Sequence, residues 1–136
     1  MAQVVSGVFP VYENEFTIGG KSVANLENFQ LTIDNGIEEW TAMENEGWKS
    51  RLMTAKSFKI AFKGKRTIGD QGNDMIAGLK FANGQAAEKV LVWNLPDAQV
   101  LTCNCVVNVT NDGGGESTNA APLEFEMLSN GKPEIT

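Results

Sequence analysis

The 136-residue sequence contains no histidine and only two cysteines. Without histidine, the chain lacks the commonest general base, histidine metal ligands and any serine–histidine or cysteine–histidine nucleophile pair. The cysteines, Cys103 and Cys105, are too few for a structural zinc site, and their spacing on one face of a strand makes a poor disulfide. We therefore predict no catalytic residue, no metal, no cofactor and no enzymatic activity, with both thiols free and buried.

Long hydrophobic runs are also missing, since no stretch approaches the ~18 apolar residues of a membrane span. The first residues, Met1 to Val5, have neither the basic region nor the apolar region of a signal peptide. Positive charge is scarce as well: 17 acidic and 11 basic residues give a net charge of −6, which disfavours binding to duplex DNA. We expect a protein that is assembled in the cytoplasm and binds neither membranes nor specific DNA.

The chain has no internal linker and no repeat, and its length is that of one domain. We predict a single domain over residues 1–136. Residues 1–15 lack periodicity around Pro10 and are expected to form an N-terminal arm. Two further irregular segments are expected, a long loop at about 42–50 and a glycine-rich hairpin tip at about 111–119.

Alternation of apolar and polar residues indicates strands over much of the remaining sequence. The clearest case is the last third, where two alternating segments flank the glycine-rich tip. They predict a long hairpin with one buried face and one solvent-exposed face. The buried positions are expected to be Leu101, Cys103, Cys105, Val107, Val109, Leu123, Phe125 and Met127.

A second hairpin is predicted earlier in the chain. Residues 29–34 alternate and are followed by Asn35-Gly36, which predicts a type I′ turn with a return strand from Ile37. After the long loop, another strand is predicted over residues 52–65.

One short helix is expected, capped by Asn73 or Asp74, and a strand follows it over residues 88–93. The apolar stripe of the helix would consist of Met75, Ile76 and Leu79. Together these elements predict a mostly β fold, a β-sandwich or barrel with one short flanking α-helix and a long loop.

Three long segments, in this order, resemble the tail tube (major tail) proteins of tailed bacteriophages and phage-like particles. They read IDNGIEEWTAMENEGWKSRLMTAKSF, GKRTIGDQGNDMIAGL and CVVNVTNDGGGESTNAAPLEFEMLSNGKP, and the likeness extends over residues 29–133. The resemblance implies a β-sandwich whose strands join across subunits into a hexameric ring. It also implies rings that stack into a tube for DNA delivery, with a fold related to that of type VI secretion tubes.

By this resemblance the protein is a structural subunit of a virion tail. Its partners would be further copies of itself, together with tail terminator, baseplate or tail-tip and tape-measure proteins, and a sheath in contractile tails. DNA would pass through the channel without specific binding. Contractile tails, non-contractile tails and bacteriocins all fit the resemblance.

Two groups of side chains are candidates for contacts in such a tube. Glu124 and Glu126 share the solvent-exposed face of the last strand, which the resemblance places at the lumen, where carboxylates would repel phosphates. Acidic residues before Trp48 and basic residues after it would meet between successive rings and set their register. The second group comprises Glu44, Glu46, Trp48, Lys49 and Arg51. A solvated outer surface is the alternative for both groups.

A function from another class also fits part of the sequence. Trp40 and Trp48 flank the acidic loop, and exposed tryptophans could stack on sugars in a small carbohydrate-binding or adhesin β-sandwich. The same side chains could instead anchor a contact between subunits, where tryptophan is enriched. The lack of a signal peptide weighs against a secreted sugar-binding module.

Overall fold

The computed structural model describes residues 7–136, which form one antiparallel sheet of eight strands and a single α-helix. The elements are β1 (Glu15–Ile18), β2 (Lys21–Ser22), β3 (Leu26–Trp40), β4 (Ser50–Lys65), α1 (Gln71–Gly78), β5 (Glu88–Asn94), β6 (Val100–Asp112), β7 (Pro122–Ser129) and β8 (Glu134–Ile135). Residues 1–6 of the predicted N-terminal arm lie outside the described residues. The rest of that segment contains a 3-10 helix at Val11–Glu13 and leads into β1.

The strand order across the sheet is β2-β1-β5-β6-β7-β4-β3, and β8 pairs with β6. The sheet curls so far that strands from its two sides meet. Phe16 of β1 stands edge to face with Phe29 of β3, and their ring centroids are 4.8 Å apart. Phe62 of β4 lies at the same distance from Phe16. The result is one rolled sheet, and the predicted mostly β fold with a short flanking helix is confirmed.

The concave side of the rolled sheet holds the core. Every second residue of β6 and β7 points into it, as the alternation predicted, while Asn104 and Asn108 of β6 are exposed. Helix α1 adds Ile76 to the same cluster. The buried core consists of Ile18, Ile60, Phe62, Ile76, Leu91, Trp93, Cys103, Cys105, Val107, Leu123, Phe125 and Met127.

Cys103 and Cys105 are both free and buried, as predicted. Burial in the apolar core raises the pKa of the Cys105 thiol to about 12, and the neighbouring Cys103 adds to the shift. Because the thiolate is the reactive form of cysteine, both side chains act as small core residues.

The predicted turn at Asn35-Gly36 is wrong. Strand β3 continues through both residues and pairs with β4 as far as Trp40. The register shifts by one residue after Gly36, where Thr54 of β4 has no partner on β3 and forms a bulge. Glycine is required there for a close approach between strands, because a Cβ at Gly36 would lie 2.9 Å from the Cβ of Ala55. The chain reverses later, between Trp40 and Ser50.

Helix α1 is capped by Asp70, so the predicted caps at Asn73 and Asp74 are wrong. The Asp70 carboxylate accepts hydrogen bonds from the backbone N–H of Asn73 (2.9 Å) and from that of Ala24 (3.1 Å). These two bonds favour the charged form and lower the pKa of Asp70. The cap therefore also fixes the helix to the chain segment between β2 and β3.

Asn73 instead serves as a buried polar hub at the start of α1, with no exposed surface. Its side-chain oxygen accepts from the Arg66 guanidinium and from the backbone N–H of Thr67, each at 2.9 Å. Its side-chain amide donates to the carbonyls of Lys65 (2.9 Å) and Ala24 (3.2 Å). With four bonds made, the amide is fully satisfied and links α1 to the end of β4.

Candidate assembly surfaces

The convex face of the sheet carries rows of polar side chains that cross from strand to strand. In the first row, the Asn108 side-chain amide of β6 donates to one carboxylate oxygen of Glu126 in β7, at 3.2 Å. The ammonium of Lys59 in β4 lies 3.4 Å from the other oxygen of Glu126. This row thus joins three neighbouring strands through a central glutamate.

The second row repeats this pattern one step along the sheet. The Asn111 amide donates to Glu124 at 3.3 Å, and the Lys63 ammonium lies 4.0 Å from the same carboxylate. Glu124 and Glu126, the predicted lumen residues, therefore each have a lysine partner on β4. The charges of these two glutamates and two lysines cancel.

A third row lies towards β5 and contains a carboxylate without a lysine. Glu88 accepts hydrogen bonds from the side-chain amides of Asn130 (2.6 Å) and Asn104 (3.2 Å). No ion pair of Glu88 occurs within residues 7–136. The three rows, called the polar rows below, contain three glutamates and two lysines, so their charges nearly balance with a small negative excess.

The β3–β4 hairpin forms an arm that extends past the other strands, because β4 pairs with β7 only from Lys59 onwards. The free edge of β3 has no pairing partner in the described part of the chain. Several apolar side chains on the arm are about half exposed: Leu31, Ile33, Ile37, Leu52 and Met53. A groove of about 240 Å³ at the base of the arm is lined by Leu31, Ile33, Phe58, Trp93, Leu101 and Pro133, among others. Exposed apolar side chains grouped on one element in this way indicate an interaction site.

The turn of the arm, residues 41–49, contains the most exposed apolar side chain of the described residues. Met43 is 99% exposed, and Trp48 is 80% exposed. Among the predicted inter-ring residues, Lys49 and Arg51 both contact Glu39, at 3.7 Å and 3.6 Å. Glu39 therefore balances part of their positive charge within the arm.

The predicted contact residues Glu44 and Glu46 lie on the same turn and form no ion pair within residues 7–136. Trp40, at the end of β3, is 48% exposed. Neither Trp40 nor Trp48 stacks on another aromatic ring of the described chain. The turn thus presents acidic and apolar groups to solvent without internal partners.

The opposite end of β4 leads into an ion cluster beside α1. The Arg66 guanidinium lies 2.7 Å from Asp74 and 3.2 Å from Asp112, and Lys80 lies 2.9 Å from Asp112. Asp112 is the last residue of β6, so the cluster fixes the base of the glycine-rich tip. The backbone N–H of Arg66 also donates to the carbonyl of Ala121, at 2.8 Å, on the other side of that tip.

Two large apolar side chains flank this cluster and are almost fully exposed. Ile68 precedes α1, Phe81 follows it, and each is 87% exposed. Sequence reasoning did not find this surface, since an isolated isoleucine and phenylalanine around a short helix are typical of core positions.

Within residues 7–136, no group of three or more cysteine or carboxylate side chains is arranged to hold a metal ion. No helix in the same range is long and apolar enough to cross a membrane.

Comparison with solved structures gives strong matches over almost the whole chain. A chain from the tail of an empty GTA particle, solved by helical refinement with C6 symmetry, has a TM-score of 0.78 at 17% identity. The match covers 95% of this chain and 99% of that chain. The chain has the fold of a phage-like tail protein. No family model matches it, and no curated protein matches it.

Two further structures have the same tail fold. A chain of the native gene transfer agent virion matches with a TM-score of 0.74 at 15% identity, over 95% of this chain and 99% of that one. A chain from the sheath/tube terminator structure of an extracellular contractile injection system (PVC) matches with a TM-score of 0.66 at 15% identity. That match covers 98% of this chain and 99% of the other.

Proposed function

We propose that the protein is the structural subunit of a phage or phage-like tail tube. Copies would form hexameric rings, and the rings would stack around a channel for DNA delivery. The observation that carries this proposal is the β3–β4 arm, which exposes a row of apolar side chains and a free strand edge. Such a surface is costly in a monomer and is expected where subunits associate.

The sheet offers two different edges for association. On one side lies the 15-residue strand β3, and on the other lie the short strands β1 and β2. A contact between two unlike surfaces is heterologous, and it closes into a ring when the rotation between subunits fits. Ring closure would cover the free edges, as it does in any closed barrel. The C6 symmetry of the GTA tail that shares this fold supports six subunits.

The polar rows are the surface that we assign to the lumen, with Glu124 and Glu126 at its centre. A channel that carries DNA must be wetted and must not bind phosphate strongly. Lysines that are paired with carboxylates offer few free positive charges to a polyanion. Charge balance on this face therefore supports passage of DNA without specific binding.

In this role the protein would reside in the virion tail after assembly in the host cytoplasm. Its partners would be further copies of itself and the tail terminator, the tail-tip or baseplate proteins and the tape-measure protein, with a sheath in a contractile tail. A building block of this kind needs no catalytic residue and no cofactor.

The test is direct imaging of the purified protein at increasing concentration. Negative-stain electron microscopy should show hollow rings with six-fold symmetry, and stacked rings at higher concentration. A monomer that persists at high concentration and binds glycans would instead support the sugar-binding alternative through Trp40 and Trp48.

A further inference from the structure

The most exposed large apolar side chains lie near the two opposite ends of the long strand β4. Outside the segment before β1, the four most exposed large apolar residues are Met43, Trp48, Ile68 and Phe81, at 99%, 80%, 87% and 87%. The first two lie on the turn of the arm that precedes Ser50. Ile68 lies between the end of β4 and α1, and Phe81 follows α1.

We propose that these two ends are the matching halves of the contact between successive rings, so that the arm turn of one subunit docks beside α1 of a subunit in the next ring. This proposal rests on the tube function and specifies its stacking interface. Because β4 has 16 residues, about 50 Å of strand separates the two ends. They are therefore placed to face in opposite directions along a stack, as head-to-tail assembly requires.

The charges on the two ends favour this pairing over contact between two arm turns. Glu44 and Glu46 lie on the turn and have no ion-pair partner within residues 7–136. Two turns in contact would bring four carboxylates together, which is unfavourable. Beside α1, the ammonium of Lys80 lies 5.9 Å from the centre of the Phe81 ring and is partly exposed. Lys80 also pairs with Asp112 at 2.9 Å, so the turn would meet an apolar anchor beside a mixed ion cluster, where repulsion is weaker than between two acidic turns.

The size of the surface indicates contact between rings rather than a pair of free monomers. The rings of Trp48 and Phe81 can bury roughly 300–500 Å² between them, with a smaller addition from Met43 and Ile68. A stable specific interface between two proteins buries at least ~1,200 Å². One contact is too small alone, whereas six parallel contacts between two hexamers act together through their high effective concentration.

Site-specific cross-linking tests the pairing. Met43→Cys and Ile68→Cys are made in separate preparations with affinity tags of different mass, so that Trp48 and Phe81 stay in place. The native thiols are buried and remain unreactive. After the two variants are mixed and assembled, a short bismaleimide should join Met43→Cys to Ile68→Cys. The control variant Asn104→Cys, which is exposed on the convex face, should cross-link to neither.

The result that would overturn the proposal is a stack of rings in which Met43→Cys links only to itself, or in which it links to nothing. A second measurement uses Trp48→Ser and Phe81→Ser. Each variant should retain rings and lose stacked tubes, and normal tubes from both would also overturn the proposal. If the unmodified protein forms no rings at all, the tube function itself fails, and this outcome is distinct from rings that stack by another surface.

Discussion

The double substitution Glu124→Lys and Glu126→Lys tests the charge balance of the polar rows. In the unmodified protein, these carboxylates face Lys63 and Lys59, so the four charges sum to zero. The double variant has four lysines at these positions. The local charge becomes +4 for each subunit and +24 for a hexameric ring, which is a dense cationic surface for a polyanion.

The expected magnitude follows from counterion release. If four lysines each neutralise one phosphate, the logarithm of the apparent affinity should fall against the logarithm of salt concentration with a slope of about −3.6. Between 50 and 200 mM salt, this slope corresponds to a loss of roughly a hundredfold in DNA affinity. The unmodified tubes should bind little DNA throughout that range.

The assay combines binding with nuclease protection. A short labelled duplex is incubated with assembled tubes, bound DNA is recovered by sedimentation, and nuclease is then added. DNA held in the lumen should be protected, whereas DNA on the outer surface should be digested. The variant Glu124→Gln plus Glu126→Gln carries +2 at these sites and should bind with an intermediate salt dependence.

A charge-swapped variant provides the matched control. It combines the two lysine substitutions with Lys59→Glu and Lys63→Glu, and so restores both zero local charge and cross-strand pairs. It should bind as little DNA as the unmodified protein. Two results would refute the reasoning: no gain of DNA binding by the +4 variant, or DNA that binds but is digested completely. The second would place the polar rows on the outside of the tube.

Three further outcomes follow from the interior of the fold. Asn73→Ala removes four hydrogen bonds at a buried site and should lower the free energy of unfolding in urea by about 3 kcal/mol. Asn108→Ala on the exposed face should lower it by less than ~0.5 kcal/mol. Equal effects of the two substitutions would contradict the role of Asn73 as a buried hub. Because the pKa of Asp70 is lowered from 3.8, its stabilising contribution is complete above that value and is lost as the pH falls below it. The unfolding free energy of Asp70→Asn should therefore vary less in this range, and an unchanged acid profile would count against the cap. Cys105 should resist alkylation at pH 8 in the folded protein and react in urea, and rapid reaction of the folded chain would contradict its burial.

Local alternation was sufficient to predict the β6–β7 hairpin, because each strand has one face in the core and one in solvent. The positions of Leu123, Phe125 and Met127 follow from that pattern alone. Which strands are neighbours does not follow from it. Lys59 and Glu126 are far apart in sequence, and their contact depends on the placement of β4 between β7 and β3.

The arm and the hub show where local signals fail. Asn35-Gly36 is a strong turn signal, but Gly36 pairs with Ala55 and Ile37 with Met53, so the ladder continues past the glycine. Asparagine is a common N-cap residue, so its place at the start of a helix predicts a cap at Asn73. Its actual role requires Arg66 and the carbonyl of Ala24, which come from other parts of the chain, so no local pattern could reveal it.

Tail-tube assembly is the central claim, and imaging of the purified protein tests it most directly. Two-dimensional class averages from electron microscopy at increasing concentration should show hollow rings with six-fold symmetry, followed by tubes built from stacked rings. A protein that remains monomeric at the highest concentration, or that forms closed particles without a channel, would contradict the claim.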